Sequence, residues 1–305
     1  MFRYATMSFY DTPLKKTFIP LGLCGLCMGL GFACKWTGAY AGAGLAVIFF
    51  ATLLRRYKEY KFACTTPKKS TGDIAHAHII KSFVPHTRKT ILFCVGAFVL
   101  VPVLIYILSY IPFRDNRNTG LIARLLQNQA TMFGYHSDLV AEHAFSSPFY
   151  KWPVMARPIW YYSGVISDTV REGISSFGNP LVWWVGIPAF LYVLYLAVRK
   201  KDRYAAFFTI GYLAQYLPWF FVSRLTFIYH YFPSVIFVVL MIVYSLLQLK
   251  KRLSGRCFLL ITVLYTASVI VLFLLFYPVL SGQPVEAGFV DKWLRWFESW
   301  VLVAR

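Results

Sequence analysis

Hydrophobic residues in this chain occur in long continuous runs, interrupted by short polar stretches rich in Lys and Arg. A helix needs about 20 mainly apolar residues, and no fewer than about 17, to cross the hydrocarbon core of a bilayer. Runs of that length are Phe18–Cys34, Gly38–Leu54, Thr90–Tyr110, Leu181–Val198, Tyr204–Val222, Leu225–Leu249 and Cys257–Leu280. The pattern predicts an all-α, polytopic membrane protein with seven transmembrane helices.

The first two runs are separated only by Lys35-Trp36-Thr37. We interpret this break as a tight turn at the membrane interface, with one kinked helix as the alternative. Cys24 and Cys27 resemble a redox or metal pair, but they lie within the first run among glycines such as Gly25. Small residues in a membrane helix favour a helix contact, so we predict packing there and no metal.

Composition supports a membrane protein, because 58% of residues are hydrophobic and only 14% are charged, against about 45–50% and about 25% in soluble domains. The net charge is +19, and 17 of the 31 Lys and Arg residues lie in three clusters between the runs: 55–89, 199–203 and 250–256. Such clusters are typical of cytoplasmic loops facing anionic lipids, so we predict no nucleic-acid partner. The N-terminus is then cytoplasmic and the C-terminus external, in a multi-pass protein of the cell membrane.

This orientation divides the chain into four parts: three spans with the basic loop 55–89 (1–110), an external loop (111–180), four spans (181–280) and an external tail (281–305). Apolar residues recur with helical spacing from Leu121 to Val140, which predicts an amphipathic helix flat in the outer interface. Asn179-Pro180 predicts a capped helix start. The Trp-rich stretch Asp291–Trp300 predicts a short amphipathic helix that anchors the tail at the interface.

Arg224 is the strongest candidate for a ligand-binding residue, because it lies between two hydrophobic runs that are joined by almost no loop. A charged side chain at membrane depth indicates a functional role, and the planar guanidinium of Arg224 suits a phosphate. The alternative is that the Arg224 side chain snorkels to the lipid headgroups. We place His230 about two helical turns away. It could hydrogen-bond a substrate or make a polar contact between helices.

Further candidates lie in the external segments. The loop segment Ser146–Tyr162 is dense in aromatic residues and carries Trp152 and Arg157, and Lys35 occupies the first external turn, where it could contact phosphate or simply anchor the interface. His136 and His143 are seven residues apart, so one helix would present both on one face. Metal-binding pairs are usually three or four apart, so we favour a polar face toward a substrate cleft and predict no metal.

The arrangement of the acidic residues does not indicate a particular reaction. No two of the 12 Asp and Glu are adjacent, and no Ser-His-Asp order, phosphate-binding Gly loop or dinucleotide motif is present. We therefore predict no cofactor and assign no catalytic residue.

Several motifs, in order along the chain, resemble the C-terminal part of the protein O-mannosyltransferase family, which uses polyprenyl- or dolichyl-phosphate mannose. They are Gly29–Gly38 with its Lys-Trp-Thr-Gly turn, Tyr135-His136 with His143, Ser146–Pro153, Arg157–Tyr161, Gly178–Trp184 and Arg224–Pro233. The resemblance implies an eleven-span lipid-phosphosugar glycosyltransferase fold, of which this chain holds the last seven spans. It also implies transfer of mannose, with inversion, to Ser or Thr of an acceptor protein on the outer face.

One departure from the family bears on activity. The family's acidic Asp-Glu pair lies in the first external loop, and this sequence has neither that loop nor any adjacent acidic pair. A hydroxyl nucleophile needs a general base, and a phosphate leaving group needs a cation. We therefore expect an N-terminally truncated homologue that is inactive alone, keeps a lipid-phosphate surface and needs a missing N-terminal half. A base drawn from Asp138 or Glu142 is the alternative.

Two other functions remain open at this point. One is a related lipid-phosphosugar transferase that acts on a glycan or lipid. The other is a non-enzymatic transporter or scaffold, which would predict an internal repeat and charges at mid-membrane.

Overall fold

The computed structural model describes residues 1–66, 73–113, 119–138 and 142–304, with the backbone alone at 73–75 and 136–138. The chain divides into two compact units, Met1–Asp138 and Leu139–Arg305. Both are mainly helical, as the hydrophobic runs predict.

The described residues of the first unit form six α-helices: α1 (Phe2–Thr6), α2 (Leu14–Cys34), α3 (Ala39–Thr65), α4 (Asp73–Val95), α5 (Val101–Leu108) and α6 (Leu121–Asp138). Lys35 is extended, and a 3-10 turn at Trp36–Gly38 follows it. The tight turn between two helices is therefore confirmed over one kinked helix. A π-helical turn at Gly96–Leu100 joins α4 to α5. Helix α6 begins where it was predicted, and Leu139 and Val140, at its predicted end, lie outside the described residues.

Glycines on one face of α2 let this helix approach the π-helical turn and α5 closely. A Cβ atom added at Gly25 would lie 2.0 Å from the carbonyl oxygen of Ala97, and one at Gly29 would lie 2.9 Å from the Cα of Pro102. The predicted helix contact through small residues is confirmed, because any side chain at these positions would push the backbones apart. Cys24 and Cys27 are free thiols.

Gly25→Val is expected to destabilise the first unit by roughly 1–3 kcal/mol or more, because the added side chain must displace backbone atoms. Thermal unfolding of the purified chain in detergent measures this loss. Gly31→Val in the same helix is the matched control, since nothing lies within 4 Å of a Cβ atom there. Equal losses in the two variants would contradict the close contact.

Over residues 142–304, the second unit forms five α-helices and three strands. The helices are α7 (Pro180–Arg199), α8 (Arg203–Tyr216), α9 (Phe232–Lys250), α10 (Gly255–Ser281) and α11 (Ala287–Phe289), and the strands are β1 (Ile159–Val165), β2 (Val170–Ser176) and β3 (Val285–Glu286). The predicted start of α7 is confirmed, because the side chain of Asn179 accepts the N–H of Leu181 at 3.1 Å and Pro180 takes the first helical position.

The strands form an antiparallel sheet in the order β1-β2-β3. Ile159 pairs with Ser176 and Val165 with Arg171, while Val170 of β2 pairs with Glu286 of β3. The sequence analysis did not predict this sheet. It occupies the aromatic part of the predicted external loop and joins it to the tail.

The tail is not the amphipathic helix that we predicted for Asp291–Trp300. Only Val290–Leu294 is helical there, as a π-helical turn, and the chain beyond it is irregular. Trp300 is fully buried and its indole N–H donates to the carbonyl of Met155 at 2.8 Å. The end of the tail is thus part of the core of this unit, while Trp293 and Trp296 are exposed.

Among the described residues, six helices are long and apolar enough to cross a membrane: Leu14–Cys34, Trp36–Thr65, His76–Leu108, Pro180–Arg199, Ile228–Lys250 and Gly255–Ser281. The predicted count of seven is not confirmed, since Tyr204–Val222 is missing from this set. Helix α8 ends at Tyr216 because Pro218 has no N–H to donate and disfavours a helical residue before it. Much of the predicted basic loop 55–89 is helical, in α3 and α4.

Candidate functional site

An open cleft of about 340 Å³ in the second unit is formed by two segments, 146–150 and 222–226, and by the 3-10 turn that follows α8. Two reciprocal hydrogen bonds join the segments. The N–H of Ser147 donates to the carbonyl of Thr226 at 2.9 Å, and the Thr226 hydroxyl donates to the carbonyl of Ser147 at 2.9 Å. Residues far apart in sequence are therefore held as the two walls of one cleft.

Arg224 lies on the wall of this cleft and is half-buried. Hydroxyl side chains accompany it, namely Ser146, Ser147, Ser223 and Thr226. Ser147 is 5% exposed, and its hydroxyl has no hydrogen-bond partner among the described residues. None of the described residues that line the cleft is acidic. A guanidinium beside hydroxyl groups, without a competing carboxylate on the described lining, is suited to an anion such as a phosphate.

Trp152 and His230 belong to a buried aromatic cluster and do not line the cleft. The Trp152 ring stacks on His230 at 5.9 Å and meets Trp219 edge-on at 5.5 Å, and its N–H donates to the carbonyl of Ser147 at 3.1 Å. The Nδ1 atom of His230 is 2.9 Å from the carbonyl oxygen of Phe227. The two residues thus hold the cleft segments from within the core. The predicted two-turn helical relation between Arg224 and His230 is wrong, because residues 222–227 are not helical.

Arg157 and His143 are both exposed. Each contacts a residue that is close in sequence to one of the cleft segments. Arg157 donates to the carbonyl of Ala144 at 2.7 Å, and the His143 ring lies edge-on to Phe227 at 5.1 Å. The prediction that His136 and His143 share one helical face is wrong. Helix α6 is described as far as Asp138, and His143 lies in irregular backbone. The side chain of His136 lies outside the described atoms.

Lys35 is exposed at the turn between α2 and α3, in the first unit. Next to it, the indole N–H of Trp36 donates to the Tyr106 hydroxyl at 2.8 Å, which donates to the Gln129 side chain at 3.0 Å. The Gln129 amide in turn donates to the Tyr110 hydroxyl at 2.7 Å. This network, which the sequence analysis missed, connects the Lys35 turn to α5 and to the amphipathic helix α6.

The described carboxylates that are close in sequence to the cleft segments either form hydrogen bonds with other residues or are exposed. Glu172 accepts the Tyr162 hydroxyl at 3.0 Å across β1 and β2, and this hydrogen bond together with the charge of Glu172 raises the pKa of Tyr162. Glu142 is exposed. No group of three or more His, Cys, Asp or Glu side chains suited to a metal ion occurs among the described residues.

Sequence reasoning identified Arg224 but missed Ser147 and Thr226. It also missed Met155, whose backbone is left-handed with φ 53° and whose carbonyl accepts the Trp300 N–H. The motif Ser146–Pro153 offered the available signal, because its Pro and paired Ser residues mark a defined turn rather than a flexible loop.

Curated proteins of known name are similar to this chain over most of its length. The chain is 25% identical over 317 residues to the polyprenol-phosphate-mannose–protein mannosyltransferase of Corynebacterium glutamicum, covering 90% of this chain and 56% of that protein. It is 24% identical over 318 residues to the protein of the same name from Mycobacterium tuberculosis, with the same two coverages. The chain thus spans just over half the length of these curated relatives.

A solved structure shares the fold. The Saccharomyces cerevisiae protein O-mannosyltransferase Pmt1-Pmt2 complex bound to the sugar donor matches with a TM-score of 0.50 and 20% identity, over 60% of this chain and 27% of that chain. At this identity the match supports the fold alone.

The family described as the C-terminal four TMM region of protein-O-mannosyltransferase matches residues 121–300. The match runs from the start of α6 through the cleft, the sheet and α7 to α10 up to the buried Trp300, and so includes more than half of the chain. The chain belongs to the protein O-mannosyltransferase family.

Proposed function

We propose that this chain forms the donor-phosphate side of a membrane mannosyltransferase, which transfers mannose from a polyprenyl-phosphate carrier to Ser or Thr hydroxyls of proteins. The observation that carries the proposal is the cleft in which half-buried Arg224 lies among hydroxyl groups with no acidic residue on its described lining. The names of the relatives supply the donor and acceptor classes.

Arg224 has the chemistry that the leaving group requires. When the glycosidic bond to phosphate breaks, negative charge develops on the phosphate oxygens, and a preorganised cation stabilises that charge. Its planar guanidinium can hold two phosphate oxygens at once, and the partner-free hydroxyl of Ser147 can donate a further hydrogen bond. Lys35 and Arg157, both exposed, are proposed to contact lipid phosphates at the surface.

The general base is proposed to come from outside these 305 residues. An acceptor hydroxyl must lose its proton as it attacks the anomeric carbon, and no carboxylate is among the described residues of the cleft. A separate polypeptide, or further residues of a longer protein, would supply the acidic pair. Within the chain, the alternatives are Asp138, whose side chain lies outside the described atoms, and Glu142, which is exposed.

The cleft is proposed to open on the external face. Helix α8 starts beside the basic residues 199–203, and α9 runs back to the basic residues 250–252, so the segment that holds Arg224 lies at the opposite end of both helices. If basic clusters are cytoplasmic, that end is external. Helix α8 and its 3-10 extension to Phe221 would together measure roughly 31 Å, enough to cross a hydrocarbon core of about 30 Å as a seventh span.

The test is transfer of radiolabelled mannose from polyprenyl-phosphate mannose to a Ser/Thr peptide in membranes. The chain alone is expected to give no product. Co-expression with an N-terminal segment of a relative that carries the acidic pair is expected to give product, and a peptide with Ala in place of Ser and Thr is the matched control.

The outcomes separate the proposals. Product from the chain alone would overturn the external base, and Glu142→Gln would then test the internal one. No product from a complemented pair that assembles in the membrane would contradict the proposed function. Glycan or lipid acceptors that react faster than the peptide would assign the related transferase activity instead.

A further inference from the structure

A second cavity, separate from the Arg224 cleft, lies between α7 and α9. This open groove has a volume of about 400 Å³. From α7 it is lined by Val185, Pro188, Ala189 and Tyr192, whose spacing of three and four residues places them on one helical face. From α9 it is lined mainly by Ile242, Ser245, Leu246 and Leu249, with the same spacing. Both helices are candidate membrane spans by their length and composition, so the groove would face lipid.

The floor of the groove is apolar, and its length suits a chain-like ligand. Val185 and Tyr192 are seven residues apart on α7, which corresponds to roughly 10 Å along the helix axis. The hydroxyl of Ser245 donates to the carbonyl of Met241 at 2.8 Å, so it offers no donor to a ligand. An acyl chain fits this description, because it needs only apolar contact along a narrow path.

One end of the groove is cationic. Arg252, just beyond the end of α9, lines the groove together with Gln248. The described ion pairs, Arg55–Glu59 and Arg295–Asp291, do not involve Arg252. The adjoining Lys251 donates to the Gln248 side chain at 2.9 Å, and Lys250 lies over the Phe258 ring at 5.6 Å. Arg252 is therefore the cation at the mouth of the groove.

The surrounding charge favours an anion at this end. The stretches 199–203 and 250–256 contain eight Lys and Arg residues against one acid, Asp202. Asp202 accepts the N–H of Ala205 at 2.9 Å and the Tyr244 hydroxyl at 2.6 Å. Burial raises the pKa of Asp202, but these hydrogen bonds and Lys251 outweigh it and lower the pKa overall. The carboxylate thus serves to cap α8 and does not neutralise the whole cluster.

We infer that the groove between α7 and α9 binds one anionic phospholipid, with an acyl chain against Pro188 and Ser245 and the phosphate headgroup on Arg252. The occupant is a membrane lipid, because a groove between spanning helices with a basic mouth matches lipid in both of its parts. The site lies at the end of the helices away from Arg224, so it is distinct from the proposed donor cleft and does not depend on it.

The test is native mass spectrometry of the purified full chain in detergent, with added phosphatidylglycerol or phosphatidylcholine of identical acyl chains. One phosphatidylglycerol is expected to be retained, and phosphatidylcholine is expected to be retained much less. Arg252→Glu is expected to lower the apparent affinity for phosphatidylglycerol by about tenfold or more, since it reverses a charge at the headgroup. Arg256→Glu, the same charge change within the cluster but outside the groove lining, is expected to have less than about a third of that effect.

A second pair of variants tests the apolar part of the site. Ser245→Phe fills the groove and is expected to abolish the retained lipid, whereas Ser245→Ala removes the same hydrogen bond without filling it and is expected to retain the lipid. Circular dichroism of each variant verifies the helical fold. Equal retention of both lipids, equal effects of the two Arg changes, or retention by Ser245→Phe would each overturn the inference.

Discussion

Replacing Arg224 by alanine is expected to lower mannose transfer by the complemented enzyme at least about 100-fold, in line with the loss of one preorganised group that stabilises developing charge. The reason is geometric. Arg224 is the one cation among the described residues that line the cleft, and the neighbouring hydroxyls cannot replace its charge. Initial rates at several donor concentrations, normalised to the amount of protein in the membrane, measure the effect.

Arg224→Lys is the matched variant for this experiment. It keeps the charge but removes the two-pronged contact with phosphate, so an intermediate rate is expected. Unchanged donor affinity and rate in Arg224→Ala would assign the residue to anchoring in the headgroup layer.

Trp152→Ala is expected to destabilise the second unit by roughly 3–5 kcal/mol, the usual cost of removing a large aromatic side chain from a core. Trp152 is completely buried, contacts His230 and Trp219, and donates to the carbonyl of Ser147. Its loss removes a support of both cleft segments. Thermal unfolding of the detergent-purified protein, followed by circular dichroism, measures the change.

Two further variants separate packing from hydrogen bonding. Trp152→Phe keeps a ring in the cluster and loses the N–H, so a loss of about 1 kcal/mol for the hydrogen bond is expected, with a smaller packing loss. Trp293→Ala removes an exposed ring, with 59% of its surface accessible, and is expected to change stability by less than about 0.5 kcal/mol. A similar loss for Trp152→Ala and Trp293→Ala would contradict the central role of Trp152.

The helices were predictable because their signals are local. Continuous apolar runs, the cap at Asn179 and the turn after Cys34 each operate within a few residues, and the structure contains all of them. The α8 region shows the limit of this reasoning. Hydrophobicity alone continues to Val222, but Pro218 converts the end of the helix into a 3-10 turn, so hydrophobicity overstates the length of the α-helix.

The sheet and the tail were not predictable, because their partners are distant in sequence. Strand β2 pairs with Val285 and Glu286, and Ser175 donates to the carbonyl of Val301, 126 residues away. Nothing in the local sequence indicates that the Trp300 N–H donates to the carbonyl of Met155 or that the N–H of Ala304 donates to the Ser163 hydroxyl.

The candidate site contains both a residue that was predictable from the sequence and residues that were not. Arg224 was identified because a cation between two apolar runs is conspicuous in any membrane protein. Ser147 and Thr226 are ordinary residues, and their importance arises only from a contact between positions 79 apart. The error on His136 and His143 came from extending the helical period as far as His143, which lies in irregular backbone.

The buried tail has a consequence for biogenesis. Ser299 donates to the carbonyl of Ala156, Trp300 donates to that of Met155, and the N–H of Ala304 donates to the Ser163 hydroxyl. These contacts span more than 140 residues, so the loop cannot reach its final packing until α10 has been synthesised and inserted. Contacts of such long range form slowly and late. A nascent chain stalled before residue 299 would expose the hairpin and the Trp152 region to quality-control proteases, whereas the chain through Ala304 would become resistant.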